Sequence, residues 1–157
     1  MRRRATSILK WFSALYVVLI VIQVYLAGEG IFGLNVIKHS DDCDKHGANL
    51  SASPCIGNTN TLDAHRGLGF LLTFPGAVLF LIVALVAWHS NKRVRIVSIV
   101  APILTFVQML LPGGGRWVGA LHPVNAILIL VLYGWLFHTL RKEAPEVATE
   151  SVAAPSG

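Results

Sequence analysis

The sequence predicts an all-α membrane protein, a four-transmembrane-helix antiparallel bundle with both termini in the cytoplasm. Three observations carry that prediction. The chain of 157 residues is 54% hydrophobic and only 13% charged, with a mean hydropathy of +0.63, about half the charge of an ordinary soluble domain. The charges gather between four apolar stretches, each near the ~20 residues that cover ~30 Å of hydrocarbon at ~1.5 Å per residue. Finally, the basic residues alternate in side. Arg2, Arg3, Arg4, Lys10, Lys92, Arg93, Arg95, Arg141 and Lys142 fall on one side of the spans, and Lys38, Lys45, Arg66 and Arg116 on the other. The excess of positive charge marks the cytoplasmic side. The formal charge of +5 therefore speaks of topology and anionic lipid headgroups, with no call for nucleic acid.

The first segment runs from about Trp11 to Gly28, with an extension to Gly33. Met1-Arg2-Arg3-Arg4 ahead of it is like the start of a secretory signal, but the apolar run is long and no A-x-A site follows, so a retained helix is expected. The outer loop, about 29–62, is polar and rich in turn residues. It holds both cysteines, Cys43 and Cys55, which are expected to form a disulfide facing an oxidising compartment. A metal site from Cys43, His46 and Cys55 is the rival reading, though that spacing matches no standard zinc pattern. Asn49-Leu50-Ser51 is a glycosylation sequon, of consequence only in a eukaryotic secretory pathway.

The second segment covers about Gly67 to Trp88, and the short turn His89 to Arg95 makes the third its antiparallel neighbour. The third covers Ile96 to Leu111, continuing through Pro112 and Gly113-Gly114-Gly115; the fourth covers Trp117 to Phe137. All four must be helical, because a lone span satisfies its backbone polar groups internally. Residues 1–142 thus form the bundle, and the Ala-, Pro-, Ser- and Glu-rich tail 143–157 is expected to be disordered in the cytoplasm. No internal repeat is visible. The expected location is the plasma membrane of a bacterium.

His65 and His122 are the chemically informative residues. They open the second and fourth segments, which run in the same direction, about three and five residues past the helix starts. Their depths then differ by only a few Å at ~1.5 Å per residue. An ionisable ring near a lipid-buried helix end calls for a partner, and two imidazoles at one depth in a bundle core can hold a haem iron between them. Gly67, Gly69, Gly119, Ala120 and Ala126 leave room for a porphyrin, and Arg66 and Arg116 lie at the outer rim, where propionates would sit. Asp63, Glu29 or a backbone carbonyl is expected to receive the second ring N–H of each ligand.

Each of these features also has a structural reading. Small residues mediate close helix packing, and Gly115 to Gly119 is a GxxxG match. A histidine at a helix end can simply hydrogen-bond there. Pro123 either aims the His122 ring or marks where the helix begins. Gln23 and Gln108, in the outer halves of the first and third segments, either bond across helices or line a haem or quinone pocket. A second haem between His89 and His138 is opposed by arithmetic: 24 residues separate His65 from His89 but 16 separate His122 from His138, an offset of ~12 Å along the helices. The two classes of function left open are a bis-histidine haem-binding protein, with b-type haem, and a cofactor-free structural or accessory membrane subunit.

The order of these elements resembles one four-helix half of the heme A synthase family. The residues that carry the likeness are Gln23 to Gly28 in the first segment, the pair Cys43 and Cys55, His65-Arg66-Gly67-Leu68-Gly69, Gln108 before the Gly113-Gly114-Gly115 turn, and His122-Pro123-Val124-Asn125-Ala126. It covers about Trp11 to Leu140. The resemblance implies a histidine pair binding haem, with Gln23 and Gln108 beside it, and haem transfer, electron transfer or haem oxidation as the activity. The family's glutamate three residues before the second-helix histidine is Leu62 here, which leaves the oxidising chemistry without that residue. The family carries two such bundles, so a homodimer or a redox partner in the membrane is the expected company.

Overall fold

A polar backbone in hydrocarbon must close its hydrogen bonds along its own axis, and the long apolar stretches of this chain do so. The computed structural model describes residues 2–37 and 59–143, and its regular elements there are all helical. Helix α1 is Arg2–Ile37. Helix α2, Thr59–Leu71, passes through a π-helical turn, Leu72–Gly76, into α3, Ala77–Ala87. Helix α4 is Lys92–Leu110, a 3-10 turn Leu111–Gly114 leads to the short α5, Gly115–Gly119, and α6 is Leu121–Lys142. Four stretches are long and apolar enough to cross a membrane: Arg3–Glu29, Asp63–Ala87, Lys92–Gly119 and Leu121–Lys142, here the first to fourth spans.

The boundaries differ from the hydropathy pattern because hydropathy reports lipid, not hydrogen bonding. Helix α1 takes in the three arginines at its start and runs past Gly33 to Ile37, and α2 opens at Thr59, ahead of the apolar run. The fourth span begins at Leu121 instead of Trp117. Gly115, at φ +81°, breaks the chain direction in a conformation that glycine alone enters freely. Pro123 then falls in the first turn of α6, where its missing N–H costs nothing. Cys43 and Cys55 with their expected disulfide, His39, His46 and residues 144–157 lie outside the described residues.

The first span packs against the second and fourth, the third span packs against the same two, and the diagonal pairs scarcely touch. This is a square up-and-down bundle. About a third or less of each span is buried, leaving Val18, Leu79, Ile103 and Val131 outward. Such a surface is costly in water but is the preferred contact for lipid. Toward the end that carries the termini, the core is aromatic. Tyr16 and Tyr133 stack with ring centres 4.3 Å apart, and Phe80 meets both edge-on at 5.6 and 4.9 Å.

Contrary to the sequence reading, the bundle has a two-fold repeat. Adding 85 to the residue number carries Leu9, Ser13, Tyr16 and Ile20 of the first span onto Val94, Ser98, Ala101 and Thr105 of the third, and all eight are buried. Adding 57 carries His65 and Leu72 of the second span onto His122 and Ile129 of the fourth. Past the π turn the offset becomes 56, pairing Ala77, Phe80 and Ala84 with Tyr133, Leu136 and Leu140, again all buried. The π turn holds the one extra residue that makes this shift. Pro75 lies within it, where an ordinary helix would need an N–H it lacks. The Tyr16 hydroxyl donates to the Leu72 carbonyl at 2.8 Å and helps satisfy the disturbed turn. The repeat escapes the sequence because it preserves burial and a few polar residues while most identities differ.

Candidate functional site

At the end of the bundle opposite the termini, each half of the repeat builds the same clasp. In the first half, the Gln23 amide Nε2 donates to the His65 carbonyl at 2.6 Å, and His65 Nδ1 returns a bond to the Gln23 carbonyl at 3.1 Å. In the second half, Gln108 Nε2 donates to the His122 carbonyl at 2.9 Å, and His122 Nδ1 bonds to the Gln108 carbonyl at 3.0 Å. Of the two expectations for the glutamines, the cross-helix bond is the one seen, and its partners are the histidines. The acceptors for the second ring N–H are the carbonyls of Gln23 and Gln108. Asp63 is occupied with Arg66 at 3.7 Å, and Glu29 takes a bond from the Tyr25 hydroxyl at 3.3 Å.

The clasps define the state of the rings. A carbonyl oxygen only accepts, so each Nδ1 carries the hydrogen, and in the neutral imidazole the lone pair is then on Nε2. This is the arrangement in which a histidine serves as a metal ligand, with the other nitrogen oriented by a carbonyl. The two rings belong to diagonal spans and meet edge to face, with ring centres 6.3 Å apart and planes at 65°. A ligating nitrogen lies about 2 Å from its metal and the ring centre about 1 Å further back, so two imidazoles on opposite sides of one ion have centres about 6 Å apart.

Both rings are half-buried. A methyl added at Gly67, which is exposed, would meet nothing within 4 Å, nor would one at Gly28. Gly69 has a different task from the one its size suggests: a Cβ there would lie 2.8 Å from Gln23 Nε2, so its bare backbone makes room for the clasp. Among the described residues no group of three or more His, Cys, Asp or Glu gathers as a ligand set.

The halves are not identical. Asn125, to which the sequence reading gave no role, donates from Nδ2 to Gln108 Oε1 at 2.8 Å and to the Leu104 carbonyl at 3.0 Å. Its counterpart in the first half is Leu68, and Gln23 Oε1 is accordingly buried with no hydrogen-bond partner among the described residues. The signal for Asn125 was present in the sequence as a lone amide in an otherwise apolar turn.

Arg66 and Arg116 lie at the histidine end, both exposed. Arg66 pairs loosely with Asp63, and Arg116 stands 5.8 Å over the Trp117 ring. At the opposite end, His89 Nε2 is 2.9 Å from Glu143 Oε2, its Nδ1 accepts from the Asn91 N–H at 3.2 Å, and His138 is exposed. The ring nitrogens of His89 are therefore taken, and no second histidine pair forms there. No protein-family model matches the chain, nor does any curated protein or solved structure.

Proposed function

We propose that this protein is an integral membrane haem-binding protein in which His65 and His122 are the two axial ligands of one b-type haem, serving haem transfer or electron transfer. The observation that carries the reading is the pair of Gln–His clasps, which leave two Nε2 lone pairs on rings spaced for a single iron. Haem held by His65 and His122 would supply a reversible one-electron couple, its potential tuned by the two imidazoles and the low-polarity bundle core. The chain's own contribution is orientation. Four reciprocal hydrogen bonds hold two rings at one depth on helices that otherwise scarcely touch.

In this reading Arg66 and Arg116, freed from their weak surface contacts, are the cations within reach of the propionates. The termini face the cytoplasm and the haem lies near the outer face of the cell membrane, as the distribution of basic residues implies. The likeness to a heme A synthase half belongs to the same proposal, and Leu62 at the glutamate position favours binding or electron transfer over haem oxidation. The bundle as a cofactor-free accessory subunit is the competing outcome, with the clasps acting as interhelical struts.

The test is an absorption and pyridine-haemochrome spectrum of protein purified in mild detergent from haem-replete cells. A Soret band with sharp b-type reduced-minus-oxidised peaks, at one haem per chain, is expected. Colourless protein that also fails to take up added haem would overturn the proposal in favour of the accessory subunit.

A further inference from the structure

The end of the bundle that carries the termini holds a cleft of about 640 Å³ between the start of α1, the turn after α3, the start of α4 and the end of α6. Arg3, Ser7 and Lys10 line it from α1, at the spacing that places residues on one helix face. Arg95 approaches from α4 and His89 with Glu143 from the far wall. Among the described residues that line this cleft the charges do not balance. The one carboxylate among them, Glu143, is engaged by His89 at 2.9 Å. Among the described residues no carboxylate pairs with Arg3, Lys10 or Arg95. Arg95 instead stands 4.8 Å from the ring of Trp88, which also lines the cleft, and Lys10 stands 5.1 Å from the ring of its exposed neighbour Trp11.

Three cations sharing a concave site repel one another unless an anion joins them. Where the cleft lies identifies the anion. It is at the ends of all four spans, the level at which headgroup phosphates sit, and exposed Trp88 in its wall and Trp11 next to Lys10 are of the residue type enriched at that level. We propose that this cleft binds the phosphate group of an anionic glycerophospholipid, held by Arg3, Lys10 and Arg95 with the Ser7 hydroxyl as a further donor. The site is independent of the histidine pair and stands whether or not haem binds there.

The test is native mass spectrometry of the full chain released from detergent, titrated with phosphatidylglycerol, with phosphatidylcholine and with inorganic phosphate as a competitor. One retained phosphatidylglycerol per chain is expected, weakened about fivefold for each charge removed in Lys10→Gln and Arg95→Gln, and unchanged in Arg66→Gln at the opposite end. Lys10→Gln alters a half-buried side chain at the rim, so it serves as the test if Arg95→Gln proves poorly folded. Displacement of the lipid by inorganic phosphate would keep the phosphate site and assign it to a soluble phosphate compound. Equal retention of phosphatidylcholine, or undiminished retention of phosphatidylglycerol in Lys10→Gln, overturns the proposal.

Discussion

The two halves of the bundle solve one problem with different residues. Each presents a histidine from one helix to a glutamine on its neighbour, and each buries the same helical positions below that clasp. The second half does so with a regular helix and an amide brace, Asn125 on Gln108. The first half carries a π turn around Pro75, a glycine where the second has Ala126, and a glutamine oxygen with no partner among the described residues. The comparison teaches that the conserved quantity is the placement of two rings, while the packing that secures them is free to differ. It also separates residues that hold the histidines from residues that only fill the core.

The comparison breaks most readily at the π turn. A Cβ at Gly76 would stand 2.5 Å from the Tyr16 hydroxyl and 3.0 Å from the Leu71 carbonyl. Gly76→Ala is therefore expected to displace the buried Tyr16–Leu72 bond and to destabilise by about 2–3 kcal/mol, the sum of a modest overpacking cost and a lost hydrogen bond. Unfolding in mixed micelles measures it, and a change below about 0.5 kcal/mol would show that the turn is not tied to Tyr16.

The clasp braces come next. Asn125→Leu should cost about 1 kcal/mol, because it orphans Gln108 Oε1 as Gln23 Oε1 already is, and interhelical bonds in membranes average somewhat less than this. The same unfolding assay on Gly69→Ala should show a loss of about 0.5–1 kcal/mol, since the amide it crowds ends a flexible side chain that can retreat only by giving up its bond to His65. Ala126→Gly, at the equivalent position, should change little beyond helix propensity, about 1 kcal/mol at most. Stabilisation by Gly69→Ala, the result that helix propensity alone would give, would contradict the assigned role of Gly69.

The smallest effect is the one that sharpens the comparison. Leu68→Asn places in the first half the donor that Asn125 supplies in the second, and should stabilise by about 0.5 kcal/mol through a bond to Gln23 Oε1. A double substitution with Gln23→Leu should erase that gain, since the pairing term requires both partners.

The four spans, their antiparallel order and the two histidines at one depth were legible in the sequence, because apolar length, loop length and helical rise are properties of the chain alone. The clasps were legible only as candidates. Gln23 and Gln108 were visible as lone amides in apolar helices, but that each meets its own histidine, and through the backbone, depends on helix rotation that no short string encodes. The repeat was hidden for a related reason: Tyr16 corresponds to Ala101 and Ala77 to Tyr133, so burial is shared while size is exchanged across the core. Gly69 was read as space for a ligand because size is visible in sequence and the identity of a neighbour is not.

The central claim is that His65 and His122 ligate one iron from opposite sides, and electron paramagnetic resonance of the ferric protein tests it most directly. A low-spin signal is predicted in the native chain, converted to high-spin by His65→Ala and equally by His122→Ala, with imidazole added to either variant restoring it. A low-spin signal that persists in both single variants would place the ligands elsewhere and contradict the account.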